Sequence, residues 1–135
     1  MRRPLQVVAL LSAGALLTGC GLGSDVRDVV GDAYPQQRSN GDTTVYSSTE
    51  PVGATASRIV NAIPPAARTA DGGSEYLRYD DDIVIVGPAP NGSTVTVEDI
   101  DGRFSRGGFL FLGAPGFRPG SPAGGSMGGG PGDVK

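Results

Sequence analysis

Asp80, Asp81 and Asp82 stand side by side, and Glu98, Asp99 and Asp101 follow one expected hairpin later. Carboxylate oxygens are hard ligands, so the first group with Asn91, or the second group, has the donors to gather Ca²⁺. The spacing does not match the helix-flanked calcium loop, and no bidentate glutamate follows at the required offset. Two acids facing across a cleft would also suit glycoside hydrolysis, but no tryptophan is present to make a sugar platform. The plainer reading is a solvated acidic turn that discourages edge pairing. Other catalytic groups are scarce. The chain has no histidine, which removes the Ser-His-Asp and Cys-His arrangements and the usual zinc sites. Its one lysine is the C-terminal Lys135 and its one cysteine is Cys20. No phosphate-binding glycine loop or dinucleotide fingerprint occurs. No cofactor is expected, and the balance favours a non-enzymatic protein.

Cys20 is set in a distinctive context. Arg2 and Arg3 form a basic start, and Leu5 to Leu17 form an apolar run of 13 residues. As a helix this run reaches only about 20 Å, short of the roughly 30 Å hydrocarbon core, so a cleaved signal is expected rather than a span. Leu17-Thr18-Gly19-Cys20 resembles the bacterial lipobox: an aliphatic residue, two small residues, then cysteine. In that motif the thiol receives a diacylglycerol thioether, and cleavage leaves the cysteine as the new N-terminus. Each buried methylene contributes about 0.8 kcal/mol, so two or three acyl chains hold a folded domain on a membrane. The expectation is therefore an acylated, palmitate-bearing Cys20 that takes membrane lipid as its partner at the extracytoplasmic face of the cell membrane. The lipid also accounts for the odd cysteine.

Loss of Arg2 and Arg3 leaves nine basic against fourteen acidic residues. The remaining arginines are spread singly. This balance argues against nucleic acid and against electrostatic docking on anionic lipid.

The elements that must position these groups can be read from periodicity. Residues 25–34 place Val26, Val29 and Val30 on one helical face, with Ser24 or Asp25 as cap and Pro35 as terminator. Gln36 to Asp42 reads as a polar loop and Thr43 to Ser48 as a short strand. Thr49-Glu50-Pro51 has the character of a helix start, with a cap and an early proline. Val52, Ala56, Ile59, Val60 and Ile63 then mark an amphipathic helix that Pro64-Pro65 stops. Ala66 to Ser74 reads as a loop. Glu75 to Tyr79, Asp82 to Val86 and Ser93 to Asp99 read as three strands of a meander, the apolar second strand in the middle. The expected fold is α+β in the order α-β-α-β-β-β: a small antiparallel sheet, the meander plus one earlier strand, packed by two helices on one face. Phe109 to Leu112 is a last edge strand or a flap, and Phe109, Phe111 and Phe117 are core aromatics or a patch for a partner or the membrane. From Gly113 onward nine glycines and four prolines fill 23 residues, a composition that predicts disorder. The expected divisions are a signal peptide over 1–19, a lipidated tether over 20–24, the domain over 25–112 and a Gly/Pro-rich tail over 113–135.

The lipobox, the stretch YLRYDDDIVIVGP (Tyr76 to Pro88), the VED of Val97 to Asp99 and the glycine-rich end after GGF together resemble a known family. It comprises small, largely actinobacterial lipoproteins and is catalogued as domain of unknown function four-two-four-seven. The resemblance spans roughly residues 20–120. It implies a cell-envelope lipoprotein with an accessory role, a possible envelope or membrane protein partner and no assigned activity, and it carries over no functional residues. The other class to weigh is a carboxylate-based binder of metal or wall ligand, or a hydrolase.

Overall fold

The computed structural model describes residues 25–121. The signal and lipobox residues, including Leu17 to Cys20, and the chain beyond Ser121 lie outside the described residues. Helix α1 (Val26–Ala33) is capped by Asp25, whose side chain accepts from the amides of Arg27 and Asp28, satisfying two otherwise orphaned donors. Helix α2 (Val52–Ala62) begins differently. Pro51 occupies the cap position and makes no side-chain cap bond. Buried hydroxyls tie down this start instead: the Ser48 hydroxyl accepts from the Glu50 amide, and Thr55 and Ser93 donate to the Glu50 carbonyl.

Among the described residues six strands make one antiparallel sheet: β1 (Gln36–Asn40), β2 (Thr43–Ser48), β3 (Ala67–Asp71), β4 (Ser74–Arg78), β5 (Asp82–Ala89) and β6 (Gly92–Asp99). Their order across the sheet is β1-β2-β6-β5-β4-β3. The expected meander is present as β4-β5-β6, with β5 in the middle, and the earlier strand β2 pairs with β6. Two strands replace expected loops. Gln36–Asn40 is exposed along its whole length, so it lacks the apolar alternation that announces a strand. Ala67–Asp71 is an edge strand of small and polar residues. Both are held by two-residue turns: Gly41 stands at φ 60°, and Gly72 and Gly73 both have positive φ, as the type I′ turn between β3 and β4 requires. Strand β5 also runs past Val86 through Pro88. It can do so because β4 stops pairing at Val86, so the proline lies where β5 has only β6 beside it.

Both helices pack on one face of the sheet. Val26 and Val30 of α1 and Ala56 and Ile59 of α2 meet Leu77, Val84, Val86, Val95 and Val97, all buried. Each large aliphatic residue removed from water contributes about 1.5–3 kcal/mol. The opposite face is not left bare. Ile83 joins Phe104, Phe109 and Phe117 in a second buried cluster, with Tyr76, Ile85 and Leu112 at its margin. The covering segment starts with an irregular helical turn (Ile100–Phe104), kinked at Gly102, and continues through a 3₁₀ turn (Leu110–Leu112) to Ser121. The segment is a flap and not an edge strand. Packing continues past the boundary expected at Leu112: Phe117 is 1% exposed, and Ser121 accepts from Arg78.

Candidate functional site

The acidic turn between β4 and β5 borders a cleft of about 460 Å³. Its walls are Asp25 and Val26 at the start of α1, Ile63 to Ala66 after α2, and Tyr79 to Asp82. Pro64-Pro65 stiffens one wall. Tyr79 stiffens the other, because its hydroxyl donates to the Ile63 carbonyl at 2.8 Å. Burial pushes the Tyr79 phenol well above its ordinary range. The floor is apolar and the rim acidic.

The three adjacent aspartates do not converge. Asp82 points inward and is 3% exposed, while Asp80 and Asp81 are exposed. The Asp82 carboxylate is taken by Arg27, whose Nε and Nη2 both lie 2.8 Å from Oδ1. Arg27 also donates to the Asp42 carbonyl at 3.1 Å, joining α1 to the β1–β2 turn. Burial raises the Asp82 pKa above the usual carboxylate value, and Arg27 opposes that shift. Asp80 and Asp81 pair with no cation among the described residues. Among those residues no group of three or more Asp, Glu, His or Cys is placed to hold a metal ion.

A second polar cluster lies at the far end of the sheet. The buried hydroxyls of Ser48, Thr55 and Ser93 bond to one another at 2.8 and 2.9 Å. Hydroxyls become nucleophiles when a base takes their proton, and the nearest carboxylate, Glu50, is committed elsewhere. Arg58 binds both its oxygens at 2.9 and 2.8 Å and holds its pKa below the ordinary value. The cluster is a structural tie between β2, α2 and β6. Gly92 belongs to it: at φ 148° its backbone runs against Thr49, whose carbonyl carbon would lie 2.8 Å from an added Cβ.

On the opposite face, Arg78 is 4% exposed and has no carboxylate partner within ion-pair reach among the described residues. Its guanidinium donates to the Tyr79 carbonyl at 2.9 Å, the Gly116 carbonyl at 2.7 Å, and the Ser121 carbonyl and hydroxyl at 3.2 and 3.3 Å. It also lies 4.5 Å above the Phe104 ring. Arg78 thus fastens the covering segment to the sheet, a role that its sequence position beside the acidic turn did not signal. The three phenylalanines part company. Phe109 and Phe117 are each 1% exposed, whereas Phe111 is 58% exposed. Phe111 sits edge-on to Tyr76 and stacked beside Phe109.

The groups capable of proton transfer are therefore dispersed or neutralised by arginine. The cleft is lined by Val26, Ile63, Pro64, Pro65 and Tyr79 together with the exposed Asp80 and Asp81. A family model described as "Domain of unknown function (DUF4247)" matches residues 14–129. Two uncharacterized proteins of Mycobacterium tuberculosis, from strains CDC 1551 / Oshkosh and ATCC 25618 / H37Rv, are similar to the chain. Each is 38% identical over 119 residues, covering 87% of this chain and 82% of the relative. No solved structure matches.

Proposed function

The chain belongs to the DUF4247 family, and from that premise we propose that it is a lipid-anchored, non-enzymatic interaction module of the cell envelope. The observation that carries the anchor is Leu17-Thr18-Gly19-Cys20 following Arg2, Arg3 and the 13-residue apolar run. The family match begins at residue 14 and so includes this motif. Among the described residues no helix is long and apolar enough to cross a membrane. In this reading the acylated Cys20 holds the domain at the extracytoplasmic face of the cell membrane.

The interaction role is supported by the commitment of the polar groups. Asp82 neutralises Arg27, Glu50 neutralises Arg58, and the buried hydroxyls serve one another. The groups left facing solvent at the cleft are Asp80 and Asp81, which favour a partner bearing a cation. Growth with labelled palmitate tests the anchor. The parent chain should carry label and stay with membranes, and Cys20→Ala should lose both. Undiminished label in the variant would remove the proposal. Crosslinking in intact cells, repeated with Asp80→Asn and Asp81→Asn together, tests the cleft as the contact: an adduct seen with the parent should disappear.

A further inference from the structure

Leu110 and Phe111 are the two large apolar residues that stand exposed among the described residues, 54% and 58% respectively, and they are neighbours on one 3₁₀ turn. Gly113, in the left-handed conformation at φ 60°, closes that turn. The turn rests on a packed base: Phe111 stacks beside the buried Phe109, and the Arg103 guanidinium lies 4.5 Å above the Phe109 ring. Two neighbouring exposed apolar side chains held on a fixed turn form a small apolar surface of the kind that a partner or a membrane covers.

Charge selects what that phase is. Residues 25–101 hold thirteen acidic and five basic groups, whereas residues 102–121 hold Arg103, Arg106 and Arg118 and no acid. Arg103 is paired with Glu98. Arg106 and Arg118 are exposed, have no carboxylate within ion-pair reach among the described residues, and flank the Leu110–Leu112 turn in the chain. Leu110 itself packs against Gly107, next to Arg106. The whole-chain count, which argues against anionic lipid, averages over this separation. An exposed apolar turn flanked in the chain by two unpaired cations suits the interface of an anionic bilayer.

The tether makes contact unavoidable. Four residues separate Cys20 from Asp25, so the five Cα steps reach at most about 18 Å, while a domain of this length has a radius of gyration of about 13 Å. Both ends of the covering segment are tied to the β4–β5 end of the sheet, which borders the start of α1 across the cleft. Arg27 binds Asp82, the Ile100 amide donates to the Asp81 carbonyl, and Arg78 in the adjoining strand holds Gly116 and Ser121. A domain held this close must present some face to lipid. The faces carrying Asp80 and Asp81 are repelled by an anionic surface, and the segment carrying Arg106 and Arg118 is attracted.

We propose that the Leu110–Leu112 turn is a second membrane contact, in which Leu110 and Phe111 enter the interface of an anionic bilayer and Arg106 and Arg118 engage its lipid phosphates. This rests on the anchoring read above. The chain contains no tryptophan, so Phe111→Trp supplies a unique reporter at an exposed position. The full lipidated variant would be reconstituted into phosphatidylcholine vesicles with and without phosphatidylglycerol. With phosphatidylglycerol present, Trp emission should shift to the blue and be quenched by brominated acyl chains. Arg106→Gln with Arg118→Gln should return it to the value in phosphatidylcholine alone. Unshifted, unquenched emission from protein that floats with the anionic vesicles would overturn the proposal. A shift that grows with protein concentration in lipid-free detergent would also overturn it, assigning the turn to a second copy of the chain. Anchoring is read separately, by flotation with pure phosphatidylcholine vesicles. The parent must float and Cys20→Ala must not, so a failed anchor and a failed docking turn give different results.

Discussion

Arg27 and Asp82 show how one pair decides the use of an acidic run. Asp82 opens a strand in the middle of the meander, and its carboxylate is 4% exposed against 31% for the Arg27 side chain. Removing a partner from such a pair strands a buried charge, whereas the pair itself adds little net stability. Arg27→Ala should therefore cost about 3 kcal/mol at neutral pH. The sign of the pH dependence follows from burial, which raises the Asp82 pKa. Between its unfolded and folded values the folded chain keeps a proton that the unfolded chain has released, so stability falls as pH rises through that window. Loss of Arg27 widens the window upward. Calorimetry should show the deficit of the variant largest at neutral pH and smaller toward about pH 4, near the ordinary aspartate value. An equal deficit at both pH values would assign the loss to packing.

At the scale of elements, the covering segment depends on a strand it does not pair with. Arg78 is buried by Phe104 and satisfied by carbonyls and a hydroxyl of Gly116 and Ser121. A buried acceptor left without its donor costs about 1–3 kcal/mol, and acceptors that reach water cost little. Arg78→Met keeps an apolar stem against Phe104 and removes the donors. It should cost about 2 kcal/mol and raise amide hydrogen exchange between Gly116 and Ser121 while the amides of the two helices keep their protection. Uniform loss of protection would mean that the segment and the helical face unfold as one unit. The two edge strands illustrate a different dependence. Gln36–Asn40 buries no side chain, so pairing with Thr43–Ser48 and the glycine turn hold it in place, and the register shift between Gln36 and Arg38 interrupts its pairing.

At the scale of the whole molecule, one sheet separates two cores, and the second is closed by residues whose composition reads as a tail. Phe117 is fully enclosed with Ile83, Phe104 and Phe109. Removing a buried phenylalanine typically costs about 3–5 kcal/mol, a large share of the roughly 5–15 kcal/mol that holds a domain together. A chain ending after Leu112 also loses the Gly116 and Ser121 acceptors of Arg78. It should melt well below a chain ending after Ser121, by at least about 3 kcal/mol in denaturant titration. Equal midpoints would show that Gly113 to Ser121 adds nothing to the second core.

Residues with a local pattern and a buried face were legible in order. The α2 helix is announced by Val52, Ala56 and Ile59, the β6 strand by the alternation of Val95 and Val97, and the central place of β5 by Ile83 to Val86, which is apolar toward both faces. The signal and lipobox pattern at Cys20 is also read from a short linear stretch, but it lies outside the described residues and stands as a proposal. The edge strands left weaker marks, a Gly-Asp and a Gly-Gly turn that had to be weighted above the polarity around them. The different burial of Asp82 against Asp80 and Asp81, and of Phe109 against Phe111, and the burial of Arg78 without an ion-pair partner among the described residues left no local mark. Each depends on partners distant in the chain: Arg27 lies 55 residues from Asp82, and Gly116 lies 38 from Arg78. Burial and pairing arise from contacts closed in three dimensions, so adjacent side chains of one type can be assigned opposite environments only once the sheet has brought those partners together.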